Sequence, residues 1–302
     1  MTNELRIKNL SVPNRMVDVV IDTDAYNEID DQFAISYLLK SKEKLNTKAI
    51  YAAPFFNQNS SGPKEGMEKS YDEILKLLDL LNEKVNVYKG ADGYLGDEET
   101  PIVSDAAKDL AERCKDYSPE NPLYVVAIGA ITNIASAILL NQQVAEKTVV
   151  VWLGGNLLHY YDTNEFNMYQ DIAAARIVMN SGVPLVQLPC MGVVDKFSVS
   201  KPELEYWLKG KNKISNYLVE NTIQAAESYA NGTPWTRCIW DVTAVAWLLN
   251  DEDRFMLSQI MPCPVPTYDN SYSCCPANHV IRYVYNIKRD NLMDDLFKKL
   301  IK

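Results

Sequence analysis

The chain has 302 residues, with 30 Lys and Arg against 40 Asp and Glu, a net charge of −10 at pH 7 and an isoelectric point near 4.9. That balance argues against a nucleic-acid partner, whose phosphates are bound by basic side chains that displace counterions, and suits a small neutral or weakly charged ligand. No apolar run approaches the ~20 residues of a membrane span, Met1 to Arg6 lacks the apolar core of a signal peptide, and the six cysteines (114, 190, 238, 263, 274, 275) have no zinc spacing, so the expectation is a soluble cytoplasmic protein with reduced thiols.

Short apolar, β-branched runs alternate with helical patterns from the start, the grammar of βαβ units. Met16 to Ile21 reads as a strand and Asp31 to Leu39 as its helix; Ala49 to Ala52 and Gly66 to Leu81 form the next pair. Val85 to Tyr88 with Ser104 to Cys114, then Leu123 to Ile128 with Asn133 to Leu140, make four strand-helix units. Val149 to Leu153 is a fifth buried strand, Ile172 to Asn180 its helix and Pro184 to Leu188 a sixth strand. The fold class expected is α/β, a mostly parallel sheet wound on both faces, forming one domain over residues 1–302. Beyond Asp195 the pattern loosens into helices at Pro202 to Leu208, Ile214 to Tyr229 and Val242 to Leu249. Met261 to Asn278 carries four prolines and the adjacent pair Cys274-Cys275, and reads as an irregular excursion. A strand at Val280 to Ile287 and a helix from Asn291 to Lys302 close the chain.

Asp22, Asp24, Asp30 and Asp31 gather just past the first strand, at the carboxyl end where open α/β sheets bind ligands. Carboxylates this close raise one another's pKa unless a cation compensates, and a divalent, oxygen-loving ion is the natural partner. A simple helix cap at Asp30 or Asp31 leaves Asp22 and Asp24 unexplained.

Three further motifs follow strands. Gly129-Ala130-Ile131-Thr132-Asn133-Ile134-Ala135 turns from strand to helix and offers backbone carbonyls to the same crevice. Gly154-Gly155-Asn156, with Glu165-Phe166-Asn167 shortly after, suits hydrogen bonding to a polyol, although Asn167 or Asp171 also reads as a helix cap. Trp240-Asp241 opens a late helix, where an aspartate is ordinarily a cap.

In this order the four motifs resemble the inosine-uridine nucleoside hydrolase family over roughly residues 16 to 250. The resemblance implies one Ca²⁺, held by Asp24, Asp31, Asp241 and the Thr132 carbonyl, with Asp24 also the base that takes a proton from water. It implies that Asp30, Asn156, Glu165 and Asn167 hold sugar hydroxyls, that Asp22 supports from behind, and that Asn57 is a further polar lining residue. The ligand implied is a small-molecule nucleoside, with no nucleic-acid or membrane partner, and the assembly a homodimer or homotetramer.

Two features depart from the family pattern. Five residues, Ala25 to Ile29, separate Asp24 from Asp30, two more than the family has, which could bring Asn27 or Glu28 into the pocket. Trp240 stands where many members carry a histidine that protonates the leaving base; an indole can stack on a base but cannot act as that acid. Only His159 and His279 exist to replace it, and Trp235 and Arg237 lie in a stretch that closes the pocket in the family. Trp240 also motivates a competing reading, a catalytically silent nucleoside- or sugar-binding protein. A phosphatase of the Asp-x-Asp kind fits less well, because Tyr26 is wrong for it and Asp30-Asp31 would have no role.

Overall fold

Alternation along each strand decides which side chains face which side of a sheet, and here both sides are buried. Val19 and Ile21 belong to one apolar cluster and Val20 to the other; Val149, Val151 and Leu153 are likewise divided from Val150 and Trp152. A computed structural model describes residues 1–302.

The central sheet has eight strands: β1 (Val17–Thr23), β2 (Leu45–Ala52), β3 (Asn86–Lys89), β4 (Leu123–Ala127), β5 (Thr148–Leu153), β6 (Leu185–Leu188), β7 (Met256–Pro262) and β8 (Val280–Ile287). Their order is β3-β2-β1-β4-β5-β6-β8-β7. Every neighbouring pair is parallel except β8 with β7. Because β1 lies between β2 and β4, the chain reverses its winding there and leaves a crevice beyond Thr23 and Ala127.

Helices Asp31–Leu39, Pro63–Leu81, Lys213–Ala230, Val242–Trp247 and Arg289–Leu300 cover one face, and Asp105–Arg113, Thr132–Leu140 and Ile172–Asn180 the other. None is long and apolar enough to cross a membrane.

The doubly wound, mostly parallel sheet expected from the sequence is present, with element ends displaced by a few residues. The proline-rich stretch differs from its reading. Residues 256–262 form an edge strand, and Pro264–Pro266 pairs antiparallel with Tyr272–Cys274. In the 256–262 strand only Met256 is fully buried, Leu257 and Met261 are half-buried, Gln259 and Ile260 are exposed, and the last residue is proline, so the continuous apolar run of a buried strand is missing.

Candidate active site

β1 delivers the first two carboxylates. Asp22 is fully buried, accepts a hydrogen bond from Nδ2 of Asn133 at 2.7 Å, and leaves Oδ2 without a partner. Asp24, just past the strand, is 1% exposed and neither of its oxygens has a partner. A turn closed by Asn27 N–H on the Asp24 carbonyl, at 2.7 Å, starts the loop that brings in Asp30 and Asp31. Asp31 opens its helix, accepts from the Thr23 hydroxyl at 2.5 Å, and keeps Oδ2 free.

Asp241 comes from the far end of the chain, ahead of helix Val242–Trp247. Asp30, Asp31 and Asp241 each offer a carboxylate oxygen, all within 4.8 Å of one another. Asp30 and Asp241 stand at helix starts, yet neither side chain caps its helix. The cap reading therefore fails for both.

Burial pushes all five carboxyls up. For Asp24, Asp30 and Asp241 burial and then neighbouring carboxylates raise the pKa well above the usual range. Burial lifts Asp22 to about 7 and Asp31 to about 6, partly offset by Asn133 and Thr23 respectively. Buried anionic oxygens without partners are costly, and a divalent cation is the partner that fits an all-oxygen donor set.

Beside the carboxylates lies a cavity of about 280 Å³, lined by Asp30, Asp241, Asn156, Glu165, Asn167 and Trp240 among others. The crevice thus collects residues from the ends of β4, β5 and β6 as well as the β1 loop. Asn27 and Glu28, from the longer loop, line it too. Asn167 spends its Nδ2 on the carbonyls of Ile128 at 3.3 Å and Leu153 at 3.0 Å. The carboxylate of Glu165 accepts from the backbone N–H of Gly155 at 2.7 Å, Asn167 at 2.9 Å and Met168 at 3.1 Å. It therefore braces the loop as well as facing the cavity. Asn156 is tied to the Met191 N–H and the Asp162 carbonyl.

Several expected residues lie elsewhere. Thr132 does not line the cavity; its hydroxyl donates to Asp171 at 2.7 Å, and the residue of that turn that does line it is Ile128. Asn57 also stays outside, donating to Oδ1 of Asn27 at 2.5 Å and so steadying the loop from behind. Asp171 is the helix cap, accepting from Ala174 N–H at 2.9 Å. His159 is exposed and His279 sits beside Arg6 and Cys263, so no histidine lines the cavity. Cys190 and Met191 line it without any signal in their local sequence, and Phe166 lines it from within the Glu165–Asn167 motif.

The model of the inosine-uridine preferring nucleoside hydrolase family matches residues 19–281, which span the whole site. The chain belongs to this family. Among similar curated proteins, pyrimidine-specific ribonucleoside hydrolase RihA of Escherichia coli O1:K1 is 27% identical over 263 residues, covering 78% of this nucleoside hydrolase and 80% of that protein. RihA of Salmonella paratyphi A is 26% identical with the same coverage. Among solved structures, the purine-preferring ribonucleoside hydrolase from Gardnerella vaginalis superimposes with a TM-score of 0.75 at 18% identity, covering 94% of this nucleoside hydrolase and 98% of that chain. A plant nucleoside hydrolase gives 0.74 at 19% identity with the same coverage.

Proposed function

We propose that this nucleoside hydrolase cleaves the N-glycosidic bond of a ribonucleoside in a calcium-dependent reaction, with Asp24 taking a proton from the attacking water. The carrying observation is the set of buried carboxylate oxygens of Asp24 and Asp31 that have no partner in the protein; neither residue lines the cavity itself, but Asp30 and Asp241, grouped with Asp31, do, and no cationic side chain lines it.

Carboxylates and carbonyls are hard donors and favour calcium over thiophilic ions. Asp24, Asp31 and Asp241 would hold it, with the Ile128 carbonyl taking the place that the resemblance gave to Thr132, since Ile128 is the one beside the cavity. A bound calcium would orient and acidify a water and grip two ribose hydroxyls. Asp24 completes the water's deprotonation. Asp30, Asn156, Glu165 and Asn167 hold the sugar in the orientation that favours an oxocarbenium-like transition state, and Trp240 stacks on the base. Asp22, anchored by Asn133, supports the strand end from behind. The family resemblance extends this to a cytoplasmic salvage enzyme, one domain over residues 1–302, working as a homodimer or homotetramer.

Chromatography of a panel of purine and pyrimidine ribonucleosides incubated with the protein and Ca²⁺ tests the reading. Free base and ribose should appear and vanish on chelation. Release that ignores the chelator overturns calcium dependence, and calcium-dependent binding without release points to a silent binder.

A further inference from the structure

A second cavity, of about 570 Å³, adjoins the first. The two share Asn27 and Glu28, so the partition between them consists of loop side chains rather than packed core. The second cavity differs in chemistry. It presents Tyr26, Tyr217 and Tyr229 with several side-chain amides, a mixture of ring faces and hydrogen-bonding groups suited to a planar, polar-edged heterocycle.

Arg237 is the one Lys or Arg lining either cavity. Its Nη2 forms an ion pair with Oε2 of Glu28, a residue of the loop that is longer than the family pattern. Tyr229 and the Asp30 carboxylate also lie near it, yet its buried Nε has no partner, and a guanidinium has five N–H donors to give.

We infer that the base, stacked on Trp240 in the first cavity while bound, departs past Asn27 and Glu28 into the second, and that Arg237, aimed by Glu28, stabilises it as it leaves as an anion. The inference rests on the nucleoside-hydrolysis reading above. The C1′–N bond breaks with its electron pair going to the base nitrogen, and the water oxygen bonds to C1′. The water's proton passes to Asp24 and on to solvent, and the base anion, held by Arg237 N–H donors, takes a proton from solvent after release. An always-charged arginine thus stands in for proton transfer.

The test compares a ribonucleoside with 4-nitrophenyl β-D-ribofuranoside, whose leaving group needs little stabilisation. In Arg237→Ala the ratio of kcat/KM on the nucleoside to that on the aryl riboside should fall about 100-fold, and Arg237→Lys should recover part of it. Equal losses on both substrates overturn the assignment, because they report a general structural role. If Arg237→Ala fails to fold, the pH profile of the wild type decides. A group that does not titrate predicts a nucleoside rate that stays flat from about pH 7.5 to 9.5. An alkaline limb there identifies a titrating acid and overturns the proposal. Wild-type protein that cleaves the aryl riboside and no nucleoside also removes the role of Arg237, whereas protein that cleaves neither brings down the hydrolase reading itself.

Discussion

Asp24 and Gly129 touch across the point where the sheet reverses its winding. A Cβ at residue 129 would lie 2.9 Å from Oδ1 of Asp24 and 3.0 Å from its Cγ. The neighbouring strand end must therefore carry glycine for that carboxylate to keep its position. Gly129→Ala should weaken calcium binding at least 10-fold and slow turnover more, while the melting temperature moves by only a few degrees. Calcium titration calorimetry beside a melting curve checks this, and unchanged calcium affinity counts against Asp24 as a ligand.

Like charges buried together destabilise the metal-free fold. Asp24→Asn should abolish turnover, by 10³-fold or more, yet raise the melting temperature in chelator by about 2 °C or more, because one repelling carboxylate is gone. The same variant should lose most of the stabilisation that calcium gives the wild type. Near-normal activity in Asp24→Asn would remove it as the base.

Acidity should act on the metal-free protein in an unusual direction. Burial raises the folded pKa of Asp22 to about 7 and that of Asp31 to about 6, from an ordinary 3.8. A carboxyl with a raised folded pKa takes up a proton on folding, so its contribution is fully present below the unfolded value and is lost as pH rises through the folded one. His279, whose pKa burial lowers from 6.5 to about 4, pulls the other way up to about pH 7.5, but it is one group against several raised carboxyls. Chelated protein should thus melt lower as pH goes from about 6.5 to 8, and saturating calcium should flatten the trend while releasing protons. Melting temperatures in chelator that climb with pH over that window contradict the account.

Glu165 satisfies three buried backbone donors at once. Glu165→Ala leaves all three unpaired and should cost about 3 kcal/mol of stability. Glu165→Gln keeps one carbonyl acceptor and should cost about half that. It separates the brace from any sugar contact, whose loss would appear as a raised KM measured well below the melting temperature of the Glu165→Gln variant. Chemical denaturation with steady-state kinetics reads both.

How far the sequence reached depends on the range of the interactions involved. Strands such as Leu123–Ala127 and helices such as Ile172–Asn180 were legible because burial on both faces of the sheet demands continuous apolar runs. The strand Met256–Pro262 was not, since an edge exposed to solvent needs no such run. Asp22 to Asp31 stood out because its residues are neighbours in the chain. Asp241 could be joined to them only through the family pattern, as local sequence makes it a helix cap and only tertiary contact brings it to Asp30 and Asp31. Thr132 entered through the family resemblance; in the structure it donates to Asp171, while Ile128, whose apolar side chain carries no ligand signal, lines the cavity. Asn57 reached the right neighbourhood but holds Asn27 rather than the cavity.

The helix that begins at Asp31 is fastened from behind by the last helix of the chain. Tyr37 donates its hydroxyl to Asp295, and Lys299 donates to the Ser41 hydroxyl at 2.9 Å and to Glu43 at 2.6 Å. Aspartates near residue 30 thus lean on residues made more than 250 positions later. During synthesis the ribosome releases the acidic loop long before its backing exists, so the ion's grip should mature only once Arg289–Leu300 has emerged, and a stop codon before Arg289 should silence the site while sparing every residue that lines it.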